Sequence, residues 1–279
     1  MNIIEILKAF LFGIVEGITE WLPVSSTGHM ILLNEIMPFQ NVSEGFYSMF
    51  EVIVQLGAIL AVILLFWKKI WPLGRSSKNK RVIVRTHIIS LWIKILIACV
   101  PAAIIGVLFD EFFERLFYNY VSVAVALIVF GIAFLVIESL RKDTKPRIRT
   151  PQEINYMTAL FIGVFQILAA IFPGTSRSGA TIIGALMLGV SRKAAAEFTF
   201  YLAVPVMFGA SLLKLLKFGF AFSGAELAIL LLSMLVAFLV SVLVIRFLMD
   251  YIRKHDFKAF GWYRIILGIF VLFFFLLRG

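Results

Sequence analysis

Leu22-Pro23-Val24-Ser25-Ser26-Thr27-Gly28 and Phe172-Pro173-Gly174-Thr175-Ser176-Arg177-Ser178-Gly179 break two otherwise apolar regions, 3–37 and 157–189, near their middles. Proline removes a backbone donor, while glycine and serine favour turns and caps, so each stretch ends one helix and starts another. Backbone that leaves the helix at membrane depth is tolerated only where protein buries it or water reaches it. Both regions are therefore read as re-entrant hairpins, helix, loop and helix, that enter and leave on the same side of a membrane.

The rest of the chain fits that reading. Of its 279 residues 62% are hydrophobic and 15% charged, with a mean hydropathy of +1.02. An ordinary soluble domain has roughly 45–50% and about 25%. That gap excludes a soluble globular protein and a disordered one. Apolar runs long enough to cross a hydrocarbon core of about 30 Å occupy 49–67, 88–109, 120–138, 196–217, 225–248 and 261–277. The expected fold is an all-α polytopic membrane protein with six transmembrane helices and two re-entrant helix hairpins. The single cysteine, Cys99, rules out an internal disulfide and multi-cysteine metal sites, and reads as a small core residue. Glu5, Glu16 and Glu20 interrupt the N-terminal apolar run and no small-residue cleavage site follows, so it is not read as a removed signal peptide.

The net charge of +10 would suggest nucleic acid in a soluble protein. Here its distribution gives topology instead, and no nucleic-acid partner is expected. Lys68, Lys69, Arg75, Lys78, Lys80, Arg81 and Arg85 share one hydrophilic loop, and Arg141, Lys142, Lys145, Arg147 and Arg149 a second. Basic clusters beside spans mark cytoplasmic loops. If the first hairpin enters from outside, the basic loops at 68–87, 139–156, 190–195 and 249–260 all fall inside. A short loop carrying Asp110, Glu111, Glu114 and Arg115 then falls outside, as do both termini. Trp67, Trp71, Trp262 and Tyr263, near span ends, read as interfacial anchors.

The two broken regions also align at an offset of 150: Gly13 with Gly163, Glu16 with Gln166, Pro23 with Pro173 and Ser26 with Ser176. Each precedes three spans, an odd number, so the second copy is inverted relative to the first. Repeat one covers about 1–140 and repeat two about 151–279 of a single integral membrane domain. Inverted repeats bring broken helices together near the midplane and aim their N-termini at a shared site.

Ionisable groups inside a membrane are costly and therefore point to function. Glu16 and Glu20 lie one turn apart on one helix face. Two carboxylates so close repel unless a proton or a cation lies between them, and a hard divalent ion suits oxygen ligands. His29, just past the first break, is placed to attack phosphorus or to donate a proton to a leaving oxygen. Of Ser25 and Ser26, one caps the helix expected from about Thr27 and the other is a nucleophile or a phosphate-binding donor. In the second break a tight turn, the hydroxyls of Ser176, Ser178 and Thr181, and Arg177 at a helix start make a phosphate-binding arrangement. A structural salt bridge from Arg177 to Glu16 or Glu20 is the alternative. Glu51, Gln55 and Glu197 line a cavity or mark a helix interface.

Glu16-Gly17-Ile18-Thr19-Glu20-Trp21-Leu22-Pro23-Val24-Ser25-Ser26-Thr27-Gly28-His29 and Pro173-Gly174-Thr175-Ser176-Arg177-Ser178-Gly179-Ala180-Thr181 resemble the two signature motifs of the bacterial undecaprenyl-diphosphate phosphatases of the bacitracin-resistance type. Length, span count and motif separation agree along the whole chain; Trp21 stands where the family often has Phe. The resemblance implies hydrolysis of undecaprenyl diphosphate to undecaprenyl phosphate, which recycles the lipid carrier for peptidoglycan synthesis in the bacterial cell membrane. It also implies a divalent cation, Mg2+ or Ca2+, an active site opening to the outer face, and compatibility with a homodimer. Carried over, Glu16 and Glu20 hold the metal, Arg177 clamps phosphate, and Ser25, Ser176, Ser178 and Thr181 help bind the transferred group. His29, Ser26 and a metal-bound water remain open as the attacking group. The rival reading is an inverted-repeat transporter or a lipid-carrier flippase, since function does not follow from fold.

Overall fold

The computed structural model describes residues 3–75 and 82–278. Lys78, Lys80 and Arg81 of the first basic loop lie outside the described residues. The first apolar region forms α1 (Ile3–Thr19) and α2 (Ser26–Ile36), and the next α3 (Phe46–Ile53) and α4 (Gln55–Ile70). Two short strands, β1 (Leu73–Arg75) and β2 (Val82–Val84), pair antiparallel. They are an addition to the expected all-α fold. Then follow α5 (Thr86–Phe117), α6 (Tyr120–Leu140), α7 (Tyr156–Ile171), α8 (Arg177–Met187), α9 (Arg192–Phe218), α10 (Gly224–Tyr251) and α11 (Lys258–Arg278). Among the described residues six stretches are long and apolar enough to cross a membrane: Phe46–Ile70, Thr86–Phe109, Tyr120–Leu140, Arg192–Phe218, Gly224–Tyr251 and Lys258–Arg278. The chain is a multi-pass membrane protein.

The helix starts are written locally. Asn119, Asn155 and Ser191 cap α6, α7 and α9 by accepting from the N–H of Ser122, Thr158 and Ala194. Ser223 and Glu226 form a capping box at the start of α10, and Gly219, at φ 93°, ends α9. One expectation is corrected here. Residues 110–117, read as an outer loop, are the last turns of α5. No Gly or Pro interrupts Asp110 to Phe117, and the alternation of acidic and aromatic residues continues a helix past the apolar run.

Three neighbours fix where the broken regions lie. α1 packs along α10 and α7 along α5, so the helix before each break is covered by a span distant in sequence or preceding it, while α6 and α11 pack on one another. The matched glycines are the contact points. A β-carbon on Gly13 would sit 2.6 Å from the Ser233 carbonyl oxygen, and one on Gly163 would overlap the Ala98 carbonyl. Gly57 meets the Met234 carbonyl of α10 in the same way. Close approach of small residues is how helices associate where lipid gives no hydrophobic drive. Gly57→Ala is therefore expected to destabilise the fold by about 1–3 kcal/mol through overpacking, read as a lower unfolding midpoint of the purified protein.

Candidate active site

The breaks end in matched caps. Ser25 (φ 75°) and Ser176 (φ 68°) both occupy the left-handed region, and their hydroxyls accept from the N–H of Gly28 and of Gly179 at 3.3 and 3.2 Å. A left-handed serine costs about 1–3 kcal/mol and persists only where its surroundings hold it. The caps also change the register in which the two breaks correspond. Glu16 and Gln166 keep the offset of 150, but Ser25 matches Ser176, because the second loop carries one extra residue after its proline. The helix after the first break begins at Ser26 rather than Thr27.

Between the caps the motif residues meet. Glu20 Oε2 accepts from Ser26 Oγ at 2.7 Å, and Glu20 Oε1 accepts from Arg177 Nη2 at 3.0 Å. Arg177 also donates to the Thr199 carbonyl at 3.1 Å, while its Nε has no partner. The salt bridge weighed as an alternative for Arg177 is thus present, to Glu20 and not to Glu16. Ser178 Oγ donates to the Glu20 carbonyl at 3.3 Å and lies 3.1 Å from Ser176 Oγ. Thr181 is fully buried, its hydroxyl engaged by the carbonyls of Arg177 and Ser178 and by the Thr199 hydroxyl. It packs α8 against α9, one shell behind Arg177.

His29 stands apart from this group. Its Nδ1 is 2.7 Å from the Ser25 carbonyl and its Nε2 2.7 Å from the Tyr263 hydroxyl, with the two rings stacked at 5.7 Å. A carbonyl can only accept, so Nδ1 carries the proton and the neutral ring takes the Tyr263 proton at Nε2. Tyr263 is therefore a site neighbour and not only an interfacial anchor.

Glu16 is fully buried and neither carboxylate oxygen has a partner; Gln166, its counterpart in the second half, is 2% exposed and equally unpartnered. A buried carboxylate with no donor requires a proton or a cation. The pair Glu16 and Glu20 fits a hard divalent ion, which commonly takes one or two carboxylates and completes its shell with phosphate and water oxygens. No group of three or more His, Cys, Asp or Glu side chains is assembled for a metal among the described residues, so the protein itself offers these two carboxylates.

A cavity of about 300 Å³ reaches the breaks at Thr27 and Pro173 and is lined by Glu51, Gln55, Tyr118 and Lys214. Glu51 accepts from the Tyr118 hydroxyl at 2.5 Å, so Glu51 and Gln55 are cavity residues. Glu197 is not: it pairs with Lys69 through both oxygens at 3.0 Å and accepts from Tyr201, tying α4 to α9 at the far end. Sequence reasoning also missed Arg264 of α11, fully buried, which donates to the carbonyls of Pro23, Gly174 and Thr175. An arginine near the start of an apolar span was the only signal.

The sequence profile of the family described as Bacitracin resistance protein BacA matches residues 9–270. Among similar proteins, the undecaprenyl-diphosphatase of Desulfitobacterium hafniense is 61% identical over 278 residues, covering 100% of this chain and 99% of that protein. Undecaprenyl-diphosphatase 1 of Clostridium acetobutylicum is 59% identical, over 99% of this chain and 100% of its own length. That of Enterococcus faecalis is 58% identical over 98% of both chains. Both breaks, with every residue that meets between the two caps, lie inside the matched span, and the chain belongs to the bacitracin resistance protein BacA family.

Proposed function

We propose that this chain is an undecaprenyl-diphosphatase that releases phosphate from the membrane-bound carrier diphosphate and returns the monophosphate to peptidoglycan synthesis, with bacitracin resistance as the consequence. One observation carries the reading: Ser26, Glu20 and Arg177 form a continuous hydrogen-bonded line, nucleophile to carboxylate to guanidinium, across the two breaks. A carrier or scaffold has no need of a hydroxyl already donating to a buried carboxylate.

In this reading the terminal phosphate lies against Arg177 and the open N-termini of α2 and α8, whose first N–H groups have no intrahelical acceptor. Ser26 Oγ attacks the terminal phosphorus and its proton passes to Glu20. The bond from that phosphorus to the bridging oxygen breaks, the prenyl monophosphate leaves with the bond electrons and takes the proton from Glu20, and a seryl phosphate remains. Water then attacks the phosphoserine and gives one proton to the freed Glu20 carboxylate; the bond from phosphorus to Oγ breaks, Ser26 Oγ leaves with the bond electrons and takes that proton back from Glu20, and inorganic phosphate is released. Ser26 is favoured over His29 as nucleophile because Nε2 of His29 is already engaged by Tyr263, whereas Ser26 needs no rearrangement. Glu16 and Glu20 hold the divalent cation, which when bound neutralises phosphate charge. Ser25 and Ser176 shape the caps, and Ser178 holds the Glu20 backbone.

The arrangement in the membrane follows the same reading. α2 and α8, 11 residues each, reach about 16 Å at 1.5 Å per residue, short of a core of about 30 Å, which supports re-entrant hairpins. The exchange of α1 and α7 between halves supports two inverted repeats, 1–140 and 151–279. The cavity is lined from the C-terminal ends of α5 and α9, whose N-terminal ends adjoin basic segments. With those segments cytoplasmic, the site opens outward and both termini lie outside.

The test is phosphate release from a long-chain prenyl diphosphate by the purified chain in detergent. Release is expected with Mg2+ or Ca2+, to stop on chelation, and to return when the cation is restored. Movement of intact lipid across vesicles without phosphate release would overturn the proposal in favour of a transporter.

A further inference from the structure

Arg264 is 0% exposed in a helix that crosses the membrane, and no carboxylate pairs with it among the described residues. Its hydrogen bonds all go to carbonyls: Nη1 donates to Pro23 O at 3.2 Å, and Nη2 to Gly174 O at 2.9 Å and Thr175 O at 2.7 Å, while Nε has no partner among the described residues. The first belongs to the first break and the other two to the second. The socket is close fitting, with Nη1 3.2 Å from where a β-carbon on Gly179 would stand and the guanidinium 5.8 Å from the Phe130 ring centre. Gly174, at φ 91°, backs the loop onto the Val123 carbonyl. The Thr175 carbonyl that Arg264 grips belongs to the peptide entering left-handed Ser176, and Pro23 lies two residues before left-handed Ser25.

We propose that Arg264 is the positioning residue of the site: one guanidinium, bonded to both loops, sets the distance between the two helix starts and so aligns Ser26 and Glu20 with Arg177. The dependence is mutual. A buried guanidinium without these carbonyls would be unsolvated, so neither loop can leave without stranding the charge. The planar fork matters as much as the charge, since a lysine carries all its donors on one nitrogen and cannot place one at Nη1 and another at Nη2. Arg264 touches neither Glu20 nor Ser26, so it acts on the reaction only through the loops it holds.

This rests on the reading of the two breaks as the reacting site, and the experiment separates the two. The full chain is purified as wild type, Arg264→Lys and Arg264→Ala, and phosphate release from a long-chain prenyl diphosphate is measured per folded molecule, the folded fraction being the monodisperse peak in detergent. Misplacement of reacting groups by about 1 Å costs on the order of 100-fold, so kcat is expected to fall about 100-fold in both variants. KM should stay within about threefold, because ground-state binding by Arg177 and the cation is kept. Methylguanidinium should raise kcat of Arg264→Ala about tenfold or more by refilling the socket, and leave wild type and Arg264→Lys unchanged. Three results would overturn the proposal alone: kcat per folded molecule unchanged in both variants, a loss fully accounted for by the unfolded fraction, or a rise in KM at constant kcat. A wild-type chain that releases no phosphate overturns the functional reading, and this proposal with it.

Discussion

Arg177→Ala lowers phosphate release by about 10³–10⁵-fold, the range an arginine supplies to a phosphoryl-transfer site. Two losses combine in that figure. The guanidinium no longer meets phosphate oxygens, and the Glu20 carboxylate, whose side chain is 6% exposed, loses its ion-pair partner at 3.0 Å. Removing one member of a buried pair also costs about 3–5 kcal/mol of stability, so the unfolding midpoint falls with activity. Arg177→Lys separates the terms: it restores a positive charge beside Glu20 without the planar fork, and is expected to recover stability while remaining about 100-fold slow. Steady-state kinetics on a prenyl diphosphate, with an unfolding curve for each variant, provide the check. Activity of Arg177→Ala within tenfold of wild type would remove Arg177 from the site.

Ser26→Ala is expected to cost about 10³-fold or more in kcat with little change in KM, the pattern of a lost nucleophile. Its structural cost is small. The hydroxyl makes one bond, to Glu20, on a half-buried residue, worth about 1 kcal/mol. Rapid quenching during turnover should leave a phosphate ester on Ser26, detectable by mass spectrometry. A phosphate found on His29, or Ser26→Ala turning over at more than a tenth of the wild-type rate, would transfer the role.

The helical membrane fold and most residues of the candidate site could be read in the sequence because membrane proteins mark such features strongly. A cluster of proline, glycine and hydroxyl residues inside an apolar run marks a break, where single prolines such as Pro101 and Pro205 stay within their helices; Glu16, Glu20 and Arg177 stand out by being costly, and Ser26 by its place in the break. What stayed hidden was recognition by backbone. Arg264 is bonded to carbonyls 89, 90 and 241 residues away, and a carbonyl leaves no trace in residue type. Tyr263 was read as an interfacial aromatic because its partner, His29, lies 234 residues off. The extra residue in the second loop was masked because an ungapped alignment pairs the prolines, and only the shared cap geometry moves Ser25 onto Ser176. The last turns of α5 were read as a loop because acidic residues suggest water, although an amphipathic end satisfies both water and helix.

The packing of α1 on α10 has a consequence for how the protein is made. Ser233 Oγ donates to the Ala9 carbonyl and Ser241 Oγ to the Gly17 carbonyl, each across 224 residues. The helix that carries Glu16 and leads into Glu20 therefore emerges from the ribosome first and receives its main packing surface almost last. Until α10 enters the bilayer, Gly13 and Gly17 lack the Ser233 and Ala237 carbonyls against which they pack, and α1 is left with its smaller contacts to α2 and α4. A chain that stops short of α10 therefore lacks the surface on which the helix before the first break is seated.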